Sequence, residues 1–228
     1  MKKAVVLLSG GLDSATVCLV AKQQGFAVYA LSFSYGQRHN CELDCAKKIA
    51  QTYAFAEHKI ANIDLTIFAG SALTSNLPVP KNNYKQNEIP ITYVPARNTI
   101  FLSYALAYAE SIKAYDIFLG VNAIDYSGYP DCRPQFIDAF ASLANLGAAL
   151  YSEGDQKLQI HTPLLKLSKA DIVRLGFVLN LDFSITNSCY DPIKKDDKIY
   201  ACGACDSCFL RQKGFAEAGI VDTIIKIV

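Results

Sequence analysis

The sequence predicts an α/β protein, a parallel sheet covered by helices on both faces, followed by a small cysteine-rich appendage. Three observations carry this expectation. Short runs rich in β-branched residues alternate with stretches of helical character, the first run breaks abruptly into the glycine turn SGGLDS, and a polar tail holds closely spaced cysteines. Alternation of strand and helix is the pattern of βαβ units. The first strand is AVVLLS (4–9), followed by the helix DSATVCLVAKQQ, with Gly25 at the C′ position where a helix stops. AVYALSFS (27–34) is the second strand, HNCELDCAKKIAQTY its helix, and EHKIA (57–61) the third strand. Residues 74–92 carry Pro, Asn and Lys without apolar periodicity, which predicts a long binding or lid loop. RNTIFLSYALAYAESIK (97–113) is apolar around most of its circumference, so this helix is expected in the interior or at a subunit contact. DIFLGV (116–121) is a further strand and PQFIDAFASLANLGAAL a further helix. In SKADIVRLG, Ser168 and Asp171 form a capping box and Gly176 is the expected stop. These elements divide the chain into a main domain, 1–184, and a C-terminal metal-binding segment, 185–228. There is no internal repeat and no low-complexity tract.

Bulk properties narrow the function. The chain has 228 residues, 51% of them apolar and 19% charged, enough for one substantial core and unlike a disordered chain. Lys and Arg number 22 against 21 Asp and Glu, whereas a protein that grips nucleic acid usually carries a basic excess to replace phosphate counterions. No direct nucleic-acid partner is therefore expected. The opening MKKAVVLLSGG has too short an apolar run, and no small-residue cleavage pattern, for a signal peptide. No stretch approaches the roughly 18 apolar residues of a membrane helix, so no membrane partner is expected. Eight cysteines without a secretory signal predict a reducing, cytoplasmic setting in which clustered thiols bind metal.

The glycine turn is an anion site. Its glycines reach backbone conformations closed to other residues, and the helix that follows directs unpaired N–H groups and its positive dipole end back at the turn. Ser9, Ser14 and the amides from Gly10 to Ala15 are candidate donors. Asp13 is the exception, because a carboxylate beside phosphates repels them unless a cation intervenes; it implies Mg²⁺ or a role in ordering the turn. The plainer alternative is an ordinary strand-to-helix turn capped by Asp13. The Walker dipeptide GK is absent and no GxGxxG follows a strand, so kinase-like transfer and hydride transfer both lose support.

Cys202, Cys205 and Cys208 form CGACDSC, with Cys189 upstream. Four thiolates suit tetrahedral Zn²⁺ with a closed shell, a structural ion that staples a tail poor in apolar residues. An iron–sulfur cluster is the competing metal. Cys41 and Cys45, at i and i+4, and Cys18 read as small core residues. Cys132 reads as a packing or positioning residue rather than a nucleophile. His58 and His161 read as structural, and His39 as a group that orients Arg38 or the nucleotide.

SGGLDS closely resembles the phosphate turn of the PP-loop ATP pyrophosphatases. That resemblance implies a five-stranded parallel sheet of the adenine nucleotide alpha hydrolase-like type. It also implies a loop that holds the β- and γ-phosphates of ATP as leaving group while AMP passes to the substrate. Along nearly the whole chain, SGGLDS, YGQRH (35–39), VPARN (94–98), DYSGYPDCR (125–133), TPLLKLSKADI (162–172) and Cys189 with CxxCxxC occur in the order found in the 7-cyano-7-deazaguanine synthase family. The segment KKDDKIYA between Cys189 and Cys202 is longer than in typical members. The resemblance implies a ligase that converts 7-carboxy-7-deazaguanine and ammonia into 7-cyano-7-deazaguanine with ATP, Mg²⁺ and Zn²⁺, as a homodimer. Adenylation of the acid lets ammonia displace AMP, and adenylation of the resulting amide oxygen lets AMP leave with formation of the nitrile.

Residue roles follow from that resemblance. The nucleotide site comprises Leu8, Ser9, Gly10, Gly11, Leu12, Asp13, Ser14, Ala15 and Thr16, with Ser32 and Ser34 near adenine, where ligands meet the carboxyl ends of parallel strands. Asp13, Ser14, Lys169 and Arg97 are the expected catalytic residues, Lys169 compensating charge on the departing phosphates. Arg38 and Arg97 hold a carboxylate or phosphate through a planar fork. Asp131 accepts from the N–H groups of the base, and Tyr126 or Tyr129 stacks on it. Taken singly, Lys169 is equally a solvated helix residue, each arginine an ion-pair partner, and DYSGYPDCR a turn with incidental tyrosines. Two other functions are compatible with parts of the pattern: a tRNA thiolation enzyme of the same superfamily, which needs a sulfur-carrying cysteine and a tRNA surface, and a non-catalytic zinc-dependent binding module.

Overall fold

The computed structural model describes residues 1–37, 41–68, 70–84, 88–122, 124, 129–195 and 198–224. Arg38, His39 and Tyr126 lie outside the described residues. A five-stranded parallel sheet forms the centre, in the order β3-β2-β1-β4-β5. Its strands are β1 (Lys3–Leu7), β2 (Ala27–Ser34), β3 (Glu57–Asn62), β4 (Asp116–Phe118) and β5 (Gln159–His161). Helices α1 (Leu12–Gln23), α2 (Cys41–Thr52), α3 (Arg97–Ser111), α4 (Pro134–Gly147), the short α5 (Ala149–Ser152) and α6 (Lys169–Val178) connect or follow them. A hairpin of β6 (Ile193–Lys195) and β7 (Lys198–Tyr200) and the helix α7 (Asp206–Ala218) complete the chain.

Strand alternation divides the core into two layers. Val5 and Leu7 of β1, with Ile117 of β4, face α3 and α4. Ala4 and Val6, with Phe118, face α1, α2 and α6. Both faces of a parallel sheet need cover, which is why its strands read as nearly continuous apolar runs. The first helix ends as expected: Gly25 takes φ +85°, its N–H donates to the Lys22 carbonyl at 3.0 Å, and Phe26 N–H reaches the Ala21 carbonyl at 3.1 Å. The capping box at Ser168 forms, with Asp171 N–H on Ser168 Oγ at 3.2 Å and Ser168 N–H on the Asp171 carboxylate at 3.3 Å.

Gly176 does not stop α6. The helix continues to Val178, and Asn180 with φ 57° makes the turn. The glycine is there for packing: a Cβ at Gly176 would lie 3.1 Å from the Phe183 ring and 3.2 Å from Thr16 Oγ1. The apolar girth of α3 is resolved unequally, with Leu102, Ala105 and Ala109 buried while Tyr104 is exposed. The tail is not held by metal ligands alone. Phe215 of α7 packs edge-on against Phe183 with ring centroids 4.9 Å apart. Arg211 donates to Asp222 at 2.8 and 2.9 Å and to Thr186 Oγ1 at 2.9 Å.

Candidate active site at the sheet switch point

Strand order reverses beside β1, because the chain leaves it for β2 on one side and returns to β4 on the other. A crevice opens at the carboxyl ends of the two strands, the place where ligands bind in open α/β sheets. A cavity fills it, lined by Leu8, Ser9, Gly11, Leu12, Asp13 and Ser14 of the first turn and by Leu119 to Asn122 after β4. The turn is held by its own hydroxyls: Ser9 and Ser14 Oγ lie 3.0 Å apart, and Ser9 N–H donates to Ser14 Oγ at 3.1 Å. Gly10 takes φ +90°, and a Cβ there would fall 2.1 Å from the Glu42 carbonyl oxygen, so only glycine admits α2 this close. Gly11 occupies the N-cap of α1 without a side chain to cap it, which leaves the helix dipole facing the cavity.

Of the expected nucleotide set, Gly10, Ala15 and Thr16 do not line the cavity. Ala15 N–H already donates to the Gly11 carbonyl at 3.1 Å, and Thr16 is fully buried beneath the helix. Ser32 and Ser34 are also not among the lining residues; Leu31 and Phe33 are. The period of two decides this: Leu31 and Phe33 project to the cavity side, whereas Ser32 Oγ donates to the Leu8 carbonyl at 2.5 Å and meets His58 Nε2 at 2.8 Å.

Lys169 is not a solvated helix residue. It is 7% exposed, and its Nζ donates to both Asp13 oxygens, at 3.0 and 2.8 Å. The cation beside Asp13 is thus an ammonium supplied by α6. Gly214 of α7 makes the approach possible, since a Cβ there would sit 2.3 Å from Lys169 Cγ.

Arg97 begins α3 just after Ala96, which takes a left-handed φ of 53° at a cost of about 1 kcal/mol for a residue with a Cβ. The Arg97 guanidinium lies 6.0 Å from the Phe101 ring centroid and lines the cavity, with no ion-pair partner among the described residues. Phe101 stacks on Phe33 with centroids 3.9 Å apart and planes 3° from parallel, which makes one wall flat and apolar. Tyr129 also lines the cavity, edge-on to Tyr93. Asp131 does not: its carboxylate accepts the Asn98 N–H at 3.1 Å, capping α3 in place of Ala96. Cys132 is buried at the cavity edge, and burial pushes its thiol up to about 12, with Asp131 adding to the shift. The other thiols and histidines read as structural have such surroundings. Cys18 and Cys45 are in the core, and His161 meets Asp116 at 2.7 Å.

Glu42, Asn187, Ser188 and Arg211 are among the lining residues that sequence reasoning passed over. Glu42 enters from the first turn of α2. Asn187 N–H donates to the Gly10 carbonyl at 2.9 Å, while Asn187 Oδ1 accepts from Cys189 N–H at 3.2 Å. Ser188 Oγ accepts the Leu12 N–H at 3.4 Å. Arg211 reaches the cavity from α7. Only NSC, beside the first metal-type cysteine, offered a sequence signal for any of these contacts.

The sulfurs of Cys189, Cys202, Cys205 and Cys208 lie within 4.8 Å of one another. Tetrahedral zinc with bonds of about 2.3 Å places its sulfurs about 3.8 Å apart, and Cys202 and Cys208 Sγ are 4.0 Å apart. Cys189 Sγ also accepts N–H groups from Cys202 at 3.2 Å and Asp191 at 3.4 Å, an arrangement that favours thiolate. The donor set fits zinc.

Comparison with known proteins agrees with this architecture. The family model described as queuosine biosynthesis protein QueC matches residues 3–219. The 7-cyano-7-deazaguanine synthase of Desulfatibacillum aliphaticivorans is 60% identical over 97% of this chain and 95% of its own length. That of Geobacter sulfurreducens is 53% identical over 98% and 92%. Among solved structures, an NMN synthetase from Francisella tularensis superposes with a TM-score of 0.51 at 22% identity, over 82% of this chain and 65% of its own, a likeness of fold alone. A family match over nearly all of the chain, on a fold whose switch-point turn and cysteine quartet are both in place, leaves one assignment: the chain belongs to the QueC family of queuosine biosynthesis proteins, ATP-dependent ligases that make 7-cyano-7-deazaguanine.

Proposed function

We propose that the cavity activates the carboxylate of 7-carboxy-7-deazaguanine by adenylation, with the first turn holding the β- and γ-phosphates of ATP. The observation that carries this reading is the Arg97 guanidinium in a cavity that also holds the N-terminus of α1, where the N-cap Gly11 has no side chain of its own. Glu42 and Asp131 are near enough to act on its charge but form no ion pair with it among the described residues, so the guanidinium is able to pair with an incoming carboxylate or phosphate. The planar guanidinium suits bidentate pairing with a carboxylate, and the flat wall of Phe33 and Phe101 with Tyr129 suits a purine-like ring.

Lys169 balances Asp13 in the resting site, and its charge is positioned to compensate the departing pyrophosphate. Both Asp13 oxygens are engaged by Lys169, so Asp13 offers no prebuilt carboxylate site for Mg²⁺, which would enter with the nucleotide. Zn²⁺ would be held by Cys189, Cys202, Cys205 and Cys208 and would supply structure rather than chemistry, since four thiolates leave no open position. Ammonia is the nitrogen donor. The enzyme acts in the cytoplasm as a homodimer without a nucleic-acid partner; no described helix is long and apolar enough to cross a membrane. The thiolation and binding-module readings are not favoured, and a Cys132 thiol pushed up to about 12 suits neither sulfur transfer nor nucleophilic attack.

The test is direct. Purified protein given ATP, ammonium and 7-carboxy-7-deazaguanine is expected to form the nitrile together with AMP and pyrophosphate. Absence of both the nitrile mass and AMP would refute the reading.

A further inference from the structure

Two carboxylates line the cavity, and they stand in opposite surroundings. Asp13 has both oxygens on the Lys169 ammonium. Glu42, on the other wall, makes no hydrogen bond and no ion pair among the described residues. Among the described residues, the charged and titratable groups presented to it are the Arg97 guanidinium from α3, Tyr35 beyond β2 and, on its own helix, the Cys45 thiol. On the other elements packed against α2, His58 of β3 is taken up by Ser32, and Asp182 by Ser184. Burial pushes the Glu42 carboxyl up to about 7, with Arg97 opposing the shift.

The remaining described lining groups, Cys189 of the metal-type quartet apart, cannot take a proton near neutral pH. Burial pushes Tyr35 and Cys132 up to about 12 and raises Tyr129. Lys169, Arg97 and Arg211 are cations, and no histidine lines the cavity among the described residues. The reaction nevertheless demands an acceptor, because ammonia that attacks an acyl carbon becomes a cationic nitrogen that must lose a proton.

We propose that Glu42 is the catalytic base of amidation, resting on the adenylation reading above. The nitrogen lone pair forms the C–N bond, the C–O bond to AMP breaks with its electron pair going to the phosphate oxygen, and the N–H proton passes to the Glu42 carboxylate and then to solvent. The same group accepts the N–H proton released when the adenylated amide collapses to the nitrile. Glu42 lies beside the turn because its own backbone carbonyl packs on Gly10, so base and phosphate site are held in fixed relation.

The experiment compares the zinc-loaded wild type with Glu42→Gln and Glu42→Asp in two half-reactions: acid-dependent exchange of labelled pyrophosphate into ATP, and amidation at fixed free-ammonia concentration. Since the ionised carboxylate is the active form, wild-type amidation should rise with pH through about 7. Glu42→Gln should lose that limb and fall by about 10²-fold or more in amidation kcat, while exchange falls by no more than about threefold. Glu42→Asp should recover part of the rate together with the limb. Amidation unaffected by Glu42→Gln, or equal losses in both half-reactions with no return of the limb in Glu42→Asp, would overturn the proposal. A wild type without acid-dependent exchange would instead refute adenylation itself.

Discussion

Lys169 and Asp13 join two segments of chain 156 positions apart, and their side chains are only 8% and 18% exposed. Desolvation makes such a pair nearly neutral for stability as a whole, but removing one partner strands the other. Lys169→Met should therefore cost about 3 kcal/mol in urea unfolding, and Asp13→Asn in the same chain should return much of that loss. Turnover should fall in both single variants and stay low in the double variant. A fully additive double variant would show that the pair is not coupled. Gly214 is a second sensitive residue. Alanine there places a Cβ 2.3 Å from Lys169 Cγ, so Gly214→Ala should cost about 1–3 kcal/mol by overpacking and lower kcat although the residue touches no ligand. Unchanged kcat would mean that Lys169 can move without consequence for the chemistry.

Among elements, the segment from Phe183 to Cys189 ties the metal quartet to the phosphate turn. Asn187 bonds Gly10, Ser188 bonds Leu12, and Cys189 begins the cysteine quartet. Zinc bound by this quartet would therefore act beyond the tail. Chelation should lower the melting temperature and also weaken binding of a non-hydrolysable ATP analogue by about tenfold or more, because loosening this segment removes support from the turn. Calorimetric titration of stripped and reloaded protein checks this, and equal affinity in the two forms would confine zinc to stapling the C-terminal helix. The same elements show what a sequence reveals. β1, β2, α1 and α2 were legible to within about two residues because apolar runs end in glycines and polar turns. β5, with only Gln159–His161, and the hairpin β6–β7 were not, because they are as short as β4 but lack its continuous apolar run. Gly176 misled because a glycine that admits a neighbour looks in sequence like one that ends a helix.

On the scale of the molecule, the parallel sheet and the glycine turn place the site at the switch point, and both follow from the opening residues. Lys169 and Arg97 were visible through their motifs, although their surroundings were not: the ion pair to Asp13 depends on α7, and the placement of the guanidinium in the cavity depends on the fold around it. Glu42, Asn187 and Ser188 gave almost no signal, since each acts through contacts between segments distant in sequence. Asp131 shows the reverse, a side chain suited to a base that instead caps α3. The whole account depends on the acid's oxygen attacking the α-phosphorus while the turn retains the pyrophosphate. Substrate labelled with ¹⁸O in its carboxylate tests this most directly, by mass analysis of the products after a single turnover. The account predicts the label in AMP, with unlabelled pyrophosphate; label in orthophosphate, accompanied by ADP, would contradict it.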